Sequence, residues 1–142
     1  MDAKQMNDWN AQIIEEFRAN EGRVGGQFEG APLLLLHTTG ARTGQARINP
    51  MMYQDLGEGR LAVFASKAGA PSHPAWYHNA KANPQVTVEV GTQTLSGTVV
   101  EATGSERDAI WEQQKSDYPT FAQYEANTDR IIPVLIVDTN QS

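Results

Sequence analysis

A chain of 142 residues that is 39% apolar has the material for one modest hydrophobic core. It contains no cysteine, which excludes disulfides, thiolate nucleophiles and cysteine-based zinc or iron–sulfur sites. Its net charge of −6 argues against general binding to nucleic acid or to an anionic membrane.

Met1-Asp-Ala-Lys-Gln lacks the basic start and apolar centre of a secretory leader. The longest apolar run, Pro32 to Leu36, is far too short to cross a bilayer. A single domain over residues 1–142 with a cytoplasmic location is therefore expected, residues 1–30 forming an N-terminal helix and a connector. Asn7 to Asn20 has helical period, with Trp9, Ile13 and Phe17 on one stripe and Gly22 as the stop. A helix this acidic is expected to pack on its own domain, with peripheral membrane contact as the alternative. Gly22, Gly25, Gly26 and Gly30 then mark a connector. It runs into a strand and does not open a helix, so it is not read as a phosphate loop.

Strands are expected at Leu33–His37, Arg47–Gln54 and Leu61–Ser66, separated by the turns Thr39–Gly44 and Gly57–Gly59. Pro74 to Ala82 reads as a short helix with Pro74 in its first turn. Val86–Val90 and Thr94–Glu101 form a hairpin around Gly91. Ser105–Lys115 is helical with Ser105 as its cap, Tyr118–Asn127 is a second helical stretch, and Ile131–Val137 is the last strand. The connections after the first, second and fourth strands are too short for parallel crossovers, so those pairs must be antiparallel. The expected fold is mainly β, a barrel or partly split barrel with flanking helices. There is no βαβ unit and no GxGxxG, which removes the dinucleotide fold.

The charges are unevenly placed. Between Thr38 and Lys81 stand Arg42, Arg47, Arg60, Lys67 and Lys81 against Asp55 and Glu58, a local balance of +3 that leaves −9 for the remainder. Either this is a solvated hairpin surface or it is an anion site inside an acidic protein. Within it, Gly40-Ala-Arg-Thr-Gly44 followed by Arg47 can aim turn amides, the Thr43 hydroxyl and two guanidinium forks at a phosphate or carboxylate. A second cluster runs from Ser66 to Asn79, where Trp76 and Tyr77 could cover a flat ring or serve as core. His73 and His78 lack zinc-helix spacing, and no metal site is read. No GxSxG, carboxylate pair or Ser-His-Asp set is present, so no catalytic side chain is assigned. In a third cluster Tyr118, Phe121 and Tyr124 recur at i, i+3, i+6 and could form an aromatic wall for a substrate or dock a helix on the barrel.

These motifs, taken in order, resemble the deazaflavin-dependent nitroreductases of actinobacteria, which use coenzyme F420. The resemblance runs through Phe17–Gly26, Leu35–Gly44, Arg47–Pro50, Ser66-Lys67 with Gly69, His73–Asn79 with Asn83-Pro84, and Thr128–Pro133. It implies a split β-barrel related to flavin-binding barrels, with Arg42, Thr43, Gly44, Arg47 and Lys67 around the coenzyme's phosphate and glutamyl tail. Ile48, Asn49, Pro50, Met51, Met52 and Tyr53 would run along the deazaflavin ring through backbone contacts. Phe64, Ala65, Ser66, Ala75, Trp76, Tyr77, His78 and Asn79 would complete the pocket. FMN, which has a phosphate but no glutamyl tail, is the alternative cofactor, and a non-catalytic F420 carrier is a further one. The implied chemistry is hydride transfer to a small electron-poor acceptor, a quinone or nitroaromatic, against Tyr118, Phe121 and Tyr124. Family members that activate nitroimidazoles tend to carry tyrosines in this cluster. Phe121 removes one hydroxyl from it and leaves quinone-like acceptors open.

Overall fold

The computed structural model describes residues 3–25 and 30–139; the side chains of residues 3–9 and 68 lie outside that description. The expected helix stripe accordingly begins here at Ile13, since the Trp9 side chain lies outside the description, as does Gly26. Helix α1 spans Ala3–Ala19. It closes through the amide of Gly22, which donates to the Phe17 carbonyl at 2.7 Å with Gly22 at φ +94°, a left-handed helix ending that favours glycine.

Strands β1 (Leu33–Thr39), β2 (Ala46–Gly57), β3 (Arg60–Phe64), β4 (Gln85–Val90), β5 (Gln93–Glu101) and β6 (Val134–Asp138) form a closed barrel in the order β1-β2-β3-β6-β5-β4. Every neighbouring pair is antiparallel, the three short-turn pairs included. Helices α2 (Ala75–Ala82), α3 (Gly104–Asp117) and α4 (Thr120–Ala126) fill the connections, with a short 3-10 turn at Lys67–Gly69.

The strands with unbroken apolar runs are those covered on both faces. Leu34, Leu36, Leu61, Val63, Leu135 and Val137 fill the barrel with Trp76 and Ala80 of α2. On the outside, Leu33 and Leu35 pack with Phe17, Val24 and the half-buried Ile13 and Ile14. Ala62, Phe64, Val134 and Ile136 meet Ile110, Trp111 and Phe121 from α3 and α4. Each helix therefore covers a strand face that would otherwise be wet.

Several element ends differ from the sequence reading. β3 stops at Phe64, short of Ser66, because the chain turns away once Ala65 has donated to Pro133. β6 starts at Val134, three residues later than expected. Pro133 has no N–H for a ladder, and Ile131 is 78% exposed. Pro74 and Thr103 occupy the N-cap positions of α2 and α3, so Pro74 lies just before the first turn and Ser105 just inside it.

The barrel is closed in strand order but open along one seam. β3 pairs with β2 only from Tyr53 to Gly57, whereas β1 pairs with β2 from Ala46 to Met52. The Tyr53 amide donates toward the β1 side, to Pro32. Because backbone groups alternate sides along a strand, those of Ile48, Pro50 and Met52 face an edge that no strand pairs among the described residues. Pro50 has no N–H to leave unsatisfied there.

Candidate functional site at the open seam of the barrel

The β1–β2 hairpin is tied down from within and from α2. Gly40 N–H donates to Gln45 O at 2.8 Å, Gly44 N–H to Gly40 O at 3.0 Å, and Gln45 N–H to Thr43 Oγ1 at 3.2 Å. The Ala41 amide donates to Asn79 Oδ1 at 3.0 Å, which fixes the start of the turn to α2. A Cβ on Gly40 would sit 2.8 Å from Thr43 Oγ1, so glycine there lets the threonine hydroxyl fold over the turn. Only the Arg42 and Thr43 amides remain unpartnered in the Gly40–Gln45 turn among the described residues. The anion nest expected from the glycines is thus narrower than a run of free amides: two N–H groups, one hydroxyl and the flanking guanidinium groups.

The cations of the basic segment divide in two. Arg60 pairs with Glu106 at 3.3 Å and Lys81 with Glu101 at 3.0 Å. Arg42, Arg47 and Lys67 are exposed and have no carboxylate partner among the described residues; Lys67 Nζ reaches only Ser72 Oγ, at 3.4 Å. Charges left unneutralised on one part of an acidic protein are what an anionic ligand would meet.

Past the end of β3, the segment Ala65–Ala70 carries Ser66 and Lys67, with Lys67 in the left-handed region at φ +46°. Gly69 brings this loop against α4, since a Cβ there would lie 2.7 Å from Tyr124 O. Half-buried Met52 packs against the cluster that includes Tyr118 and Tyr124 and also against the α1 cluster, so β2 runs between them. Hairpin, strand edge and Asn79 are joined through β2 and α2, and the loop is joined to Tyr124 through α4.

The other expected site residues differ in burial and packing. Trp76 is 9% exposed and belongs to the barrel interior, the core role open to it from the start. Phe64 and Phe121 are buried in the outer core with ring centroids 5.6 Å apart, and Phe121 lies 6.1 Å from Trp111 and 5.3 Å from Tyr124. Of the aromatic triad, Tyr118 and Tyr124 are half-buried at its margin, while Phe121 anchors α4. Ala65 is fully buried, and Ala75 and His78 are exposed. Tyr77 turns its hydroxyl to Glu101 Oε1 at 2.7 Å; burial and that hydrogen bond push it up to about 12.

Two side chains prominent here carried no assigned role in the sequence reading. Arg130 inserts its guanidinium behind the Ala65–Ala70 loop, and His73 receives one of its N–H groups. Burial, then Arg130 and His78, lower the His73 pKa against the opposing pull of Glu101. Both line a cavity of about 690 Å³ with Tyr77, Glu101, Arg107 and Asp129. The available signal was membership in the Thr128–Pro133 and His73–Asn79 motifs; no local spacing links the two.

Comparison with known proteins matches residues 9–139 to the family described as F420H(2)-dependent quinone reductase. An F420H(2)-dependent quinone reductase of Mycobacterium tuberculosis is 38% identical over 125 residues, covering 85% of this chain and 83% of its own length. A solved F420-H2 dependent reductase is 45% identical with a TM-score of 0.68, covering 75% of this chain and 93% of that one. Another solved structure, described as a domain-swapped dimer, is 38% identical with a TM-score of 0.69 over 96% of this chain and 99% of that one.

Proposed function

The chain belongs to the F420H(2)-dependent quinone reductase family, and on that premise we propose that the open seam of β2 holds coenzyme F420 for reduction of a quinone. The observation that carries the placement is the set of unpaired cations, Arg42 and Arg47 where β2 begins and Lys67 just past β3, together with a β2 edge that carries no paired strand among the described residues. A polyanionic phosphate and glutamyl tail fits the first feature. A flat ring with a hydrogen-bonding edge fits the second. When bound, the reduced coenzyme supplies a hydride, which with one proton converts the quinone to its hydroquinone.

The chain's own residues orient and shield. Arg42 and Arg47 offer planar forks matched to phosphate or carboxylate, and Thr43 adds a hydroxyl beside two free turn amides. The edge groups of Ile48, Pro50 and Met52 can align a ring without any side chain taking part. Asn79 fixes the hairpin from α2 through Ala41. Tyr118 and Tyr124 are half-buried and pack on the same outer core as Met52 of β2, which makes them the candidates to limit one side of an acceptor site, for quinones and for nitroaromatics of similar shape. Phe17 of the α1 stripe is 1% exposed and packs against the barrel, and no described helix is long and apolar enough to cross a membrane.

The test is a fluorescence titration of F420 into the wild type and the Arg42→Ala and Lys67→Ala variants, followed by oxidation of reduced F420 by menadione. Each lost charge-assisted contact is expected to weaken binding by about 10- to 100-fold. Unchanged affinity in both variants would show the tail site to be misplaced. Binding without turnover across a quinone panel would make the protein a carrier.

A further inference from the structure

The loop presenting Ser66 and Lys67 has an unusual support. Four N–H donations leave the Arg130 guanidinium, and all end on the connection between β3 and α2. Nη1 donates to Ala65 O and to His73 Nδ1, both at 3.0 Å; Nη2 donates to Ser66 O at 2.7 Å, and Nε to Ala70 O at 2.8 Å. No carboxylate lies within ion-pair distance of Arg130 among the described residues. The guanidinium serves the loop and nothing else that is charged.

We propose that Arg130 is a positioning residue, whose planar fork gathers the Ala65, Ser66 and Ala70 carbonyls and thereby sets Ser66 and Lys67 at the coenzyme site. Three carbonyl oxygens turned to one half-buried point repel one another and must be satisfied. The loop's own bonds do not do this alone. Gly69 N–H reaches Ser66 O at 2.9 Å and Ala70 N–H reaches Lys67 O at 3.0 Å, which closes the 3-10 turn but leaves Ala65 O and Ala70 O to Arg130. Lys67 also sits at φ +46°, a conformation that persists in a non-glycine residue only where the surroundings impose it. Arg130 imposes it from both sides, holding carbonyls before and after the strained residue. A lysine cannot copy this, because its donors do not lie in a plane. What the loop holds rests on the coenzyme reading above; how the loop is held does not.

Two measurements on the full chain separate those parts. Hydrogen exchange without coenzyme is read at the amides of Gly69 and Ala70 in the wild type, Arg130→Lys and Arg130→Met. Exchange is expected to quicken about tenfold or more in Arg130→Met, less in Arg130→Lys, with the barrel strands unchanged. F420 titration should show binding weakened in the same order, by about tenfold for Arg130→Met, because an unfixed loop must be ordered on binding. With Arg130→Ala, added ethylguanidinium, admitted through the 690 Å³ cavity, should recover part of both losses. Loop exchange as slow in Arg130→Met as in wild type would overturn the proposal. So would faster exchange throughout the barrel, which would make Arg130 a general stabiliser. A loosened loop with unaltered F420 affinity would leave the clamp in place but remove its role at the site. Absence of F420 binding in the wild type would instead count against the coenzyme reading.

Discussion

Replacing Gly69 with alanine tests the contact between the loop and α4, and its cost can be worked out from two separate terms. The first is backbone conformation: Gly69 has φ +80°, where an L-residue costs about 1–2 kcal/mol. The second is space. The added Cβ would lie 2.7 Å from Tyr124 O, 3.0 Å from Asn127 Cβ and 3.2 Å from Tyr124 Cα, and two of those are backbone atoms that no rotamer change can move aside. Overpacking of this kind costs about 1–3 kcal/mol, offset by about 0.5 kcal/mol from the stiffer unfolded chain. Gly44 supplies the control, since it has φ +71° but no atom within 4 Å of the point a Cβ would occupy. Gly44→Ala should therefore lose about 1 kcal/mol, and Gly69→Ala about 2–4 kcal/mol. Urea unfolding of the two coenzyme-free variants measures the difference directly. At this chain length the larger loss should lower Tm by about 10 °C. Equal destabilisation of the two variants would mean that α4 does not rest on the loop, and the link between Tyr124 and Ser66–Lys67 would fail with it.

Phe121 is 7% exposed among Phe64, Trp111 and Tyr124, so Phe121→Ala should cost about 3–5 kcal/mol in chemical unfolding. Phe121→Tyr must bury a hydroxyl in that cluster and should lose about 1–3 kcal/mol without gaining nitroimidazole turnover; full stability together with faster turnover would place the side chain in the acceptor site. Glu89 accepts from Arg18 Nη2 at 2.7 Å and pairs with His37 Nε2 at 2.6 Å, joining the end of α1 to β4 and β1. The Arg18 hydrogen bond, with that of His37, overcomes burial and holds this carboxyl at about 2, below its ordinary 4.5. A folded value below the unfolded one stabilises fully above pH 4.5, and the contribution is lost as pH falls through about 2. Glu89→Gln should accordingly flatten the stability profile across that window, while costing about 1 kcal/mol at neutral pH because Arg18 is half exposed; an unchanged acid profile would show that Glu89 does not tie down the helix.

The sequence alone determined the kind and order of nearly every element, the three short-turn antiparallel pairs, and the cations Arg42, Arg47 and Lys67. Those features are local. Apolar period, turn length and residue charge act within about ten residues, and they leave their mark wherever the chain is read. Even the unbroken runs of β1 and β6 were legible as strands, though not the helices that cover their outer faces. Tertiary structure alone decided how the barrel closes, through β3–β6, β5–β6 and β1–β4. It also decided that pairing of β2 with β3 stops at Tyr53 and leaves an edge open. An aromatic residue on a short helix can serve core or site equally well, and only its packing placed Trp76 inside the barrel and Phe121 under α4 while Tyr118 and Tyr124 stayed at the margin. Arg130 shows the limit most plainly: it meets carbonyls 60, 64 and 65 residues away in the chain. The basic hairpin announces itself by its own charges, but the loop after β3 is shaped by a cation whose partners no local pattern could name.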